Sequence, residues 1–310
     1  MRPRLAITLG DPRGIGPEIV AATLRDGAVA ADVLVVGPTG TEVPVDVSVG
    51  EWTRDGGAGV AGRLAGLAIE RAVSLALAGE VHGIVTAPID KAALFAGGYD
   101  YPGHTEMLAA LTGHRTAMML TSTGPTAGGY PLRVVLATTH VALREVPNAL
   151  TSDAIAAAAG VTRDYLQRWF GVESPRIALC ALNPHAGDGG RFGTEDDALL
   201  APVARTLGLV GPLPADTVFV RAMRGAFDAV IAPYHDVGMT AIKVAAFGHG
   251  VNVTLGLPFP RTSPDHGTAL DIAGRGLADP SSFRAALQLC ADLARRASHP
   301  AAAAPVAVTG

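Results

Sequence analysis

The sequence predicts an α/β protein with a largely parallel sheet, arranged as two lobes around a central cleft. Short apolar, β-branched runs alternate with helix-like segments along the 310-residue chain. This alternation is typical of parallel sheets whose faces are covered by helices. The sequence contains no internal repeat and no long linker, so we expect one two-lobed unit. The first lobe is placed at residues 1–125 and 260–310, and the second at 126–259.

The first third of the chain predicts three strands and three helices. LAITLG is the first strand, and the helix after it opens at Pro17, a residue suited to the first helical position. VLVVG is the second strand, and residues 63–79 carry apolar side chains at helical spacing. GIVTAPI is a buried strand, and DKAALFA begins a helix with Asp90 as its N-cap.

The remaining elements continue the same pattern. GHTEMLAALTG predicts a turn and a helix, and the loop-like GPTAGGYP separates the strands TAMMLTST and LRVVLATTH. An amphipathic helix over 151–170 is capped by Thr151 or Ser152. RIALCAL, AVIAPY and GVNVTLG are further strands, and the final residues AAAAPVAVTG form a loose tail. Five more helices are predicted, over 194–207, 216–224, 236–246, 266–274 and 281–297.

The composition excludes several classes of function. A net charge of −4 with 5% aromatic residues argues against nucleic acid as a partner. No apolar run approaches the roughly 20 residues of a membrane span, and the N-terminus has no signal-peptide pattern, so we expect a soluble cytoplasmic protein. Cys180 lies in a strand pattern and Cys290 in a helix pattern, which favours two buried thiols over a disulfide or a zinc pair.

Three histidines follow predicted strands at the position where α/β sheets bind ligands. His140 ends LRVVLATTH, His185 follows RIALCALNP, and His235 follows AVIAPY. The carboxyl ends of strands in open α/β sheets form ligand crevices, and imidazole is the commonest side-chain ligand of metals. Three converging imidazoles would form a divalent-metal site that polarises an oxygen atom.

Two glycine-containing motifs each allow a functional and a structural interpretation. GDPRGIGPE at 10–18 leaves backbone N–H groups free at a helix start, which suits a phosphate, but it also reads as a tight turn capped by Asp11. YPGHTE places His104, Thr105 and Glu106 before a helix, where the three either hold a phosphate or a hydroxyl, or His104 or Thr105 caps the helix. The sequence alone leaves both pairs of alternatives open.

The segments around the other candidate residues contain more side chains that can bind ligands or transfer protons. NPHAGDGGRFGTED at 183–196 is a long glycine-rich loop around His185, a kind that is more often functional than structural. Lys243 lies two helical turns after His235, where it suits proton transfer or support of an oxyanion. Asn252 and Arg261 flank a strand and a proline-rich turn, and arginine suits capture of phosphate or carboxylate. These residues together predict a metal-dependent enzyme acting on a small anionic substrate.

The order of these motifs resembles the PdxA family of 4-hydroxythreonine-4-phosphate dehydrogenases of vitamin B6 synthesis. GDPRGIGPE, TAPIDK, GHTE, ATTH, LNPHAGDGG, PADT, YHD, GVNVTLGLPF and RTSPDHGTALDIAGRG occur in the family's order, over residues 4 to about 295. The resemblance implies an isocitrate/isopropylmalate dehydrogenase-like fold and not a Rossmann fold. It also implies a homodimer, with an active site in the interlobe cleft to which residues are contributed across the interface.

The implied reaction is oxidation of the C3 hydroxyl of 4-phosphooxy-L-threonine by NAD or NADP, followed by decarboxylation to 3-amino-2-oxopropyl phosphate. A divalent metal (Zn, Mg or Co) would assist, with Lys243 as the catalytic residue. By motif position the resemblance implies three groups of site residues: metal ligands His140, His185 and His235; substrate contacts His104, Thr105, Lys243, Asn252 and Arg261; and cofactor contacts His266, Gly267, Thr268 and Asp271.

Two departures from the family pattern leave the substrate open. This chain reads YHDVG where many members read YHDQG, so Val237 replaces an amide. YPGHTE resembles the branch that acts on 4-phospho-D-threonate or 4-phospho-D-erythronate in sugar-acid catabolism, and a further relative oxidises a dihydrodiol dicarboxylate. A non-catalytic protein that kept the fold to bind a phosphometabolite is a third alternative.

Overall fold

Apolar runs bounded by glycine, proline and polar residues form the strands of one mixed sheet. A computed structural model describes residues 2–27, 29–246 and 248–297 of the chain, so the predicted C-terminal tail lies outside the described residues. Within them the strands are β1 (Arg4–Thr8), β2 (Asp32–Thr39), β3 (Val47–Glu51), β4 (Gly83–Thr86), β5 (Ala117–Ser122), β6 (Arg133–Leu136), β7 (Ile177–Cys180), β8 (Val210–Leu213), β9 (Ala229–Ala232), β10 (Gly250–Leu255) and β11 (Arg261–Pro264).

Helices connect the strands and cover the sheet. They are α1 (Gly16–Arg25), α2 (Gly57–Leu77), α3 (Lys91–Ala96), α4 (His104–Thr112), α5 (Val146–Ala149), α6 (Ser152–Arg168), α7 (Ala201–Leu207), α8 (Ala215–Met223), α9 (His235–Ala245) and α10 (Ser281–Ala297). A π-helical turn over Asp196–Leu200 runs into α7. The predicted N-caps are confirmed, because Asp90 accepts the N–H of Ala93 and Thr151 accepts that of Ala154.

The strand order is β3-β2-β1-β4-β11-β10-β5-β6-β9-β7-β8 in the described residues. The block from β3 to β11 is parallel, and so is the block from β6 to β8. β10 and β5 join the two blocks through antiparallel pairs, so the second block runs opposite to the first. The prediction of a largely parallel sheet is therefore confirmed. Because the sheet is continuous, the predicted lobe boundaries stay a prediction.

Close helix packing explains one group of glycines. Gly62 and Gly66 face α3 and the chain after it: a methyl group on Gly62 would lie 1.8 Å from the carbonyl oxygen of Ala93, and one on Gly66 would lie 2.0 Å from Tyr99. α2 begins at Gly57, six residues before the predicted start at 63. Helix α3 and the residues that follow it are thereby held directly against α2, which fixes where the segment leading to α4 begins.

Three strands were missed by the sequence prediction, and one predicted helix is wrong. β3 and β8 are short edge strands, and β11 has the polar sequence RTSP where a proline-rich turn was expected. Residues 266–274 form successive turns instead of a helix, because Ala269 has a φ of 42° and Gly274 a φ of 71°. The carbonyl of Thr268 accepts the N–H of Ile15 on another element, which replaces a helical hydrogen bond.

The described part of the chain contains no helix long and apolar enough to cross a bilayer. Both cysteines are free and buried, as predicted. Burial raises the pKa of the Cys180 thiol and of the Cys290 thiol to about 12, so neither forms a thiolate at neutral pH. The two thiols therefore serve as core side chains.

Candidate active site

Side chains from three central strands reach one face of the sheet. Arg261 on β11 pairs with Ile84 on β4, and Asn252 on β10 pairs with Ser263 on β11. Residues paired across strands share a face, and so do residues two apart along one strand. This register brings Thr86, Asn252, Arg261 and Ser263 to the same face, where they line a cavity of about 250 Å³.

Arg261 is a buried cation without a carboxylate partner among the described residues. Its side chain is 3% exposed, and its guanidinium donates to the hydroxyl of Thr254 at 3.0 Å and to that of Thr86. Its Nε is buried and has no partner in the described part of the chain. Burial lowers the pKa of the guanidinium to about 10, so it remains charged at neutral pH. An uncompensated buried cation favours an anionic ligand, since a desolvated charge is costly until it is paired.

His104 stands beside this cation as a neutral imidazole. Burial lowers the pKa of His104 well below its usual range, and the charges of Arg261 and Lys91 add to the effect. Its Nε2 is buried without a hydrogen-bond partner among the described residues. Helix α4 begins at His104, and neither His104 nor Thr105 makes a side-chain cap there, because its N-cap position is Gly103. The capping alternative for this motif is therefore not supported.

The cavity collects most of the residues that the sequence singled out and some that it did not. Glu106, the third member of the polar triplet before α4, also lines it, and so does Lys91, which the sequence analysis missed as a site residue. The available signal for Lys91 was its place directly after the strand-ending motif TAPID, at the start of α3. The predicted residues lining the cavity are His104, Thr105, His140, Asn252, Arg261, His266 and Gly267.

The three strand-end histidines follow three neighbouring parallel strands, as predicted. β6, β9 and β7 are adjacent in the sheet and end shortly before His140, His235 and His185. The hydroxyl of Thr138 donates to the carbonyl of Pro233 at 2.7 Å, which ties the first two strand ends together. As a result the rings of His140 and His235 lie 5.7 Å apart between centroids. Nδ1 of His235 contacts a carboxylate oxygen of Asp236 at 2.7 Å.

The loop carrying His185 is held by a buried carboxylate. Asp196 is fully buried and accepts the backbone N–H groups of Leu182 and Asn183 at 2.8 and 3.0 Å, and the Asn183 side chain at 3.0 Å. The loop turns through consecutive left-handed residues, with φ of 55° at His185 and 57° at Ala186. Such backbone costs energy for residues other than glycine and is concentrated at functional sites.

Positive φ angles mark the predicted loops more generally. The non-glycine residues with positive φ in the described ranges are His140, His185, Ala186, Asp188 and Ala269. All of them lie in segments that the sequence identified as functional. This distribution supports the interpretation of those segments as binding loops, because a strained backbone persists only where surrounding contacts hold it.

His140, His185 and His235 have the ligand type that a divalent metal needs, and two of the three rings lie close together. Neutral imidazoles are preferred ligands of zinc and cobalt, and burial lowers the pKa of His140, which keeps that ring unprotonated. His140 and His235 are adjacent, whereas the ring of His185 packs toward Phe192 at 6.4 Å between centroids. The described residues contain no group of three or more His, Cys, Asp or Glu side chains placed to hold one ion.

Lys243 and Asn252 both contact the chain just after β11. Lys243 lies on α9, as predicted, and its Nζ donates to the carbonyl of Asp265 at 3.2 Å. The side-chain nitrogen of Asn252 donates to the carbonyl of Pro264 at 3.2 Å. Pro264 and His266 line the cavity, so the lysine reaches its border from the side of α9. The ammonium of Lys243 is exposed, and nothing in the described chain pairs it with an acid.

The predicted cofactor segment, residues 266–271, follows β11 at the end of the first parallel block. His266 and Gly267 line the cavity, and Nε2 of His266 is buried without a partner among the described residues. Thr268 contacts the glycine motif, since a methyl group on Gly14 would lie 2.8 Å from its carbonyl oxygen. Asp271 is exposed and lies outside the cavity. The unpartnered ring nitrogen and the open space around Gly267 fit a bound cofactor there.

The glycine motif GDPRGIGPE is a tight turn between β1 and α1. Gly10 and Gly16 allow close approach of other backbone, because a methyl group on either would lie about 2 Å from a carbonyl oxygen. The fully buried carboxylate of Asp11 accepts the backbone N–H and the guanidinium of Arg13, and it makes no hydrogen bond to the helix. The motif is thus a tight turn, but the cap expected from Asp11 is wrong, because Asp11 holds Arg13 and does not cap α1.

Comparisons with known proteins agree with this fold. A family model described as pyridoxal phosphate biosynthetic protein PdxA matches residues 26–290. The 4-hydroxythreonine-4-phosphate dehydrogenase of Stenotrophomonas maltophilia is 41% identical over 333 aligned positions, covering 96% of this chain and 98% of the relative. The solved structure of the dehydrogenase of that name from Klebsiella pneumoniae has a TM-score of 0.81 and 38% identity, covering 94% of this chain and 99% of that one.

A more distant likeness concerns the fold alone. The structure of isocitrate dehydrogenase from Methylococcus capsulatus has a TM-score of 0.50 at 16% identity, covering 95% of this chain and 88% of that one. The expected isocitrate dehydrogenase-like fold is confirmed by this neighbour together with the mixed sheet described above.

Proposed function

The chain belongs to the PdxA family and is a dehydrogenase of the 4-hydroxythreonine-4-phosphate dehydrogenase kind, and from that premise we propose its reaction. The substrate is 4-phosphooxy-L-threonine, whose C3 hydroxyl is oxidised by NAD or NADP before loss of CO₂ gives 3-amino-2-oxopropyl phosphate. A divalent metal takes part, and two copies of the chain form the working homodimer. The observation that carries the proposal is the buried guanidinium of Arg261, which has no carboxylate partner in the described part of the chain and lies beside the neutral His104 in one cavity.

Substrate binding follows from the charges lining the cavity. Arg261 and Lys91 are cations at its inner wall and border, against one carboxylate from Glu106. This excess of positive charge favours a substrate with a phosphate or carboxylate. Thr105 and the unpartnered Nε2 of His104 provide neutral hydrogen-bonding groups for its hydroxyl or amino group. The anionic ends therefore anchor the substrate, while the neutral groups orient it.

His140, His185 and His235 are the residues that would hold the metal. A metal bound there would polarise the substrate hydroxyl and stabilise the enolate left by CO₂. The neutral state of His140, favoured by burial, suits ligation. Because His185 stands apart from the other two rings in the single chain, dimer formation is proposed to complete the site.

Lys243 is the proposed proton-transfer residue. Its Nζ is held at 3.2 Å from the carbonyl of Asp265, next to the cavity residues Pro264 and His266. From this position the ammonium group can deliver a proton to the product or support an oxyanion. His266, Gly267, Thr268 and Asp271 are proposed to contact the nicotinamide cofactor, with the buried Nε2 of His266 as its polar partner.

The test is formation of reduced cofactor from 4-phosphooxy-L-threonine, with and without a chelator. We expect chelation to abolish turnover and added Zn²⁺, Co²⁺ or Mg²⁺ to restore it. The variant His185→Ala should lose turnover and metal content together, whereas His114→Ala, an exposed histidine outside the cavity, should keep both. Full turnover by His185→Ala in chelator would rule out the metal assignment.

A phospho-D-threonate or phospho-D-erythronate substrate is the second candidate, and Val237 is the observation that favours it. Val237 packs against the apolar cluster under α9 and offers no hydrogen bond where many members have an amide. A side-by-side measurement of kcat/KM decides between a substrate with an amino group and one with a hydroxyl group. A higher kcat/KM for 4-phospho-D-threonate would replace the leading substrate and leave the dehydrogenase assignment intact. The dihydrodiol dicarboxylate alternative is tested in the same panel.

A further inference from the structure

The chain places both of its lysines at one cavity. Of its 24 Lys and Arg residues, Lys91 and Lys243 are the lysines, and arginine supplies all the others. Lys91 lines the candidate active-site cavity, and Lys243 reaches the border of that cavity from α9. The two lysines stand on different elements, at the start of α3 and within α9, so sequence proximity does not explain their common location. Lys243 has a proposed role in proton transfer, whereas Lys91 has no assigned substrate group.

The backbone that carries Lys91 is held from two sides. The carboxylate of Asp90 accepts the N–H of Ala93 at 2.7 Å, and the guanidinium of Arg13 lies 3.7 Å from the same carboxylate. On the other side α3 packs against α2 so closely that a methyl group on Gly62 would lie 1.8 Å from the carbonyl oxygen of Ala93. The Lys91 side chain is exposed, but it starts from a fixed position.

The Lys91 side chain lies at the border of the cavity with its charge unpaired. A methyl group on Gly103 would lie 3.6 Å from its Cε and 3.5 Å from a carboxylate oxygen of Glu106, so the two side chains flank that glycine. Burial is the main cause of the lowered pKa of His104 and of His140, and the charge of Lys91 adds to both shifts. Lys91 forms no ion pair with the residues that the structure describes, so its ammonium is available to a ligand.

Lys91 and Arg261 offer a substrate two cationic sites of different strength. Arg261 is 3% exposed among the central strands, whereas Lys91 is exposed at the cavity border. A desolvated guanidinium attracts an anion strongly, because little water competes for either charge. An exposed ammonium stays hydrated and is the weaker partner. The cavity can therefore hold a molecule with two anionic groups and distinguish its two ends.

The proposed reaction treats the two anionic groups of its substrate differently. The phosphate keeps its charge from substrate to product. The carboxylate leaves as CO₂: the bond between C2 and the carboxyl carbon breaks, and its electron pair moves into an enolate with the charge on the C3 oxygen. A strong buried cation on the carboxylate would stabilise the substrate before this step and so oppose it. The carboxylate therefore suits the hydrated lysine at the open border, and the phosphate suits the buried arginine.

We propose that Lys91 binds the substrate carboxylate and selects hydroxy acids that carry both a carboxylate and a phosphate over phosphates without a carboxylate. The proposal rests on the proposed function, which supplies a substrate with these two groups. The substrate then lies with its phosphate toward Arg261 on β11 and its carboxylate toward the start of α3. Lys91 is a binding residue that determines specificity, and Lys243 keeps the role in proton transfer.

Two ligands that differ only in the carboxylate test this assignment. They are 4-phosphooxy-L-threonine and 3-amino-2-hydroxypropyl phosphate, in which hydrogen replaces the carboxylate. Calorimetry on the metal-loaded protein without dinucleotide measures their binding without turnover. Lys91→Met should raise the Kd of 4-phosphooxy-L-threonine about tenfold, through loss of one charge-assisted hydrogen bond, and should change the Kd of the other ligand by less than about twofold. Arg261→Met should weaken both ligands.

A neighbouring cation outside the cavity provides the matched control. Arg63 on α2 is exposed, lies against Gly97 at the end of α3 and does not line the cavity. Arg63→Met should bind both ligands like wild type, and Lys91→Arg should recover part of the affinity for 4-phosphooxy-L-threonine. No loss in Lys91→Met would overturn the proposal. Equal losses for the two ligands would also overturn it, because Lys91 would then bind the phosphate or only balance the charge of Glu106.

The small number of lysines gives a second readout. Reductive methylation with isotope-labelled formaldehyde marks the amino groups of the lysines and of the chain terminus and keeps their charge. The NMR signal of Lys91, identified by its absence in Lys91→Arg, should shift when 4-phosphooxy-L-threonine binds and stay in place when 3-amino-2-hydroxypropyl phosphate binds. The same shift with both ligands would contradict a contact to the carboxylate.

The outcomes separate this proposal from the proposed function. Turnover of 4-phosphooxy-L-threonine with equal losses for the two ligands in Lys91→Met overturns the role of Lys91 and leaves the proposed function intact. A loss confined to the ligand with the carboxylate supports Lys91 even if that ligand is not oxidised. The pair 4-phospho-D-erythronate and glycerol 3-phosphate repeats the comparison for the second candidate substrate. Absence of binding by both phosphorylated acids overturns both proposals.

Discussion

The cavity wall around Arg261 and the group formed by His140, His185 and His235 are built in opposite ways. Arg261 is buried among the central strands and is held by hydroxyls of Thr86 and Thr254. His140 and His185 have left-handed backbones and stand on loops. The wall is complete within one chain, whereas the described residues of one chain bring no three ligands together for a metal.

This difference shows which side chains of the site are positioned by the sheet and which are positioned by loops. Strand register fixes the position of Arg261 because a one-residue slip would turn its side chain to the other face. Loop histidines are set by strained turns and by single tethers such as Asp196, so their final positions depend on what binds them. We therefore expect changes in the wall to alter binding of substrate, and changes in the loops to alter assembly of the metal site.

Replacing Arg261 should have the largest effect. Arg261→Met removes the buried cation that faces the substrate, and loss of one partner in a buried charge interaction costs about 2–5 kcal/mol. We expect kcat/KM to fall by at least about 30-fold, mostly through a higher KM. Arg133→Met is the matched control, because Arg133 is also largely desolvated in the sheet but bonds the carbonyl of Asp228 outside the cavity. An unchanged KM in Arg261→Met would contradict the role of the cavity wall in substrate binding.

Removing the tether of the histidine loop should have the next largest effect. Asp196→Ala leaves two backbone N–H groups without their acceptor and removes one of the two acceptors of the Asn183 amide, which costs about 3 kcal/mol of unfolding free energy. Metal content should fall as well, since His185 follows Asn183 by two residues. Denaturant unfolding and metal analysis measure both, with the exposed neighbour changed in Asp197→Ala as control. Unchanged stability in Asp196→Ala would show that the loop carrying His185 keeps its conformation without the Asp196 carboxylate.

The buried His104 should make stability depend on pH below neutrality. Its pKa is lowered in the folded state, mainly by burial, so below about pH 6.5 the unfolded chain binds a proton that the folded chain does not. The free energy of unfolding should therefore be unaffected above that pH and fall as pH decreases, by up to about 1.4 kcal/mol per pH unit. His104→Gln should remove this contribution. An identical pH slope in the variant and the wild type would contradict the buried, neutral state.

Loss of a helix cap far from the cavity should have the smallest effect. Thr151→Ala removes the hydroxyl that accepts the N–H of Ala154 at the start of α6 and should cost about 1 kcal/mol of stability. Neither kcat nor KM should change, because Thr151 lies outside the cavity. Thermal unfolding and steady-state kinetics test this together. A change in KM would mean that the packing of α6 affects substrate binding. Substrate binding would then not depend on the cavity wall alone.

Sequence patterns were sufficient for the elements that carry their own signals. Apolar strands, N-caps and strand-end histidines are local features, and the structure bears them out at Asp90, at Thr151 and at the ends of β6, β9 and β7. The helix predicted over 266–274 is wrong. The alanine and leucine content of this segment favours a helix, but its hydrogen bonds to Ile15 and Glu18 stabilise turns instead. Tertiary hydrogen bonds there outweigh helix propensity, which is a weak bias per residue.

The sequence by itself determined the α/β class, the family motifs and the chemical types available for a site. Only the tertiary structure decided that Arg261 is buried with no carboxylate partner among the described residues. It also decided that Lys91 and Glu106 join the cavity and that the two parallel blocks run in opposite directions. It also decided that β11 is a strand in spite of its polar sequence. The physical reason is that strand pairing and burial depend on residues far apart in the chain, and no local pattern records which of them will meet.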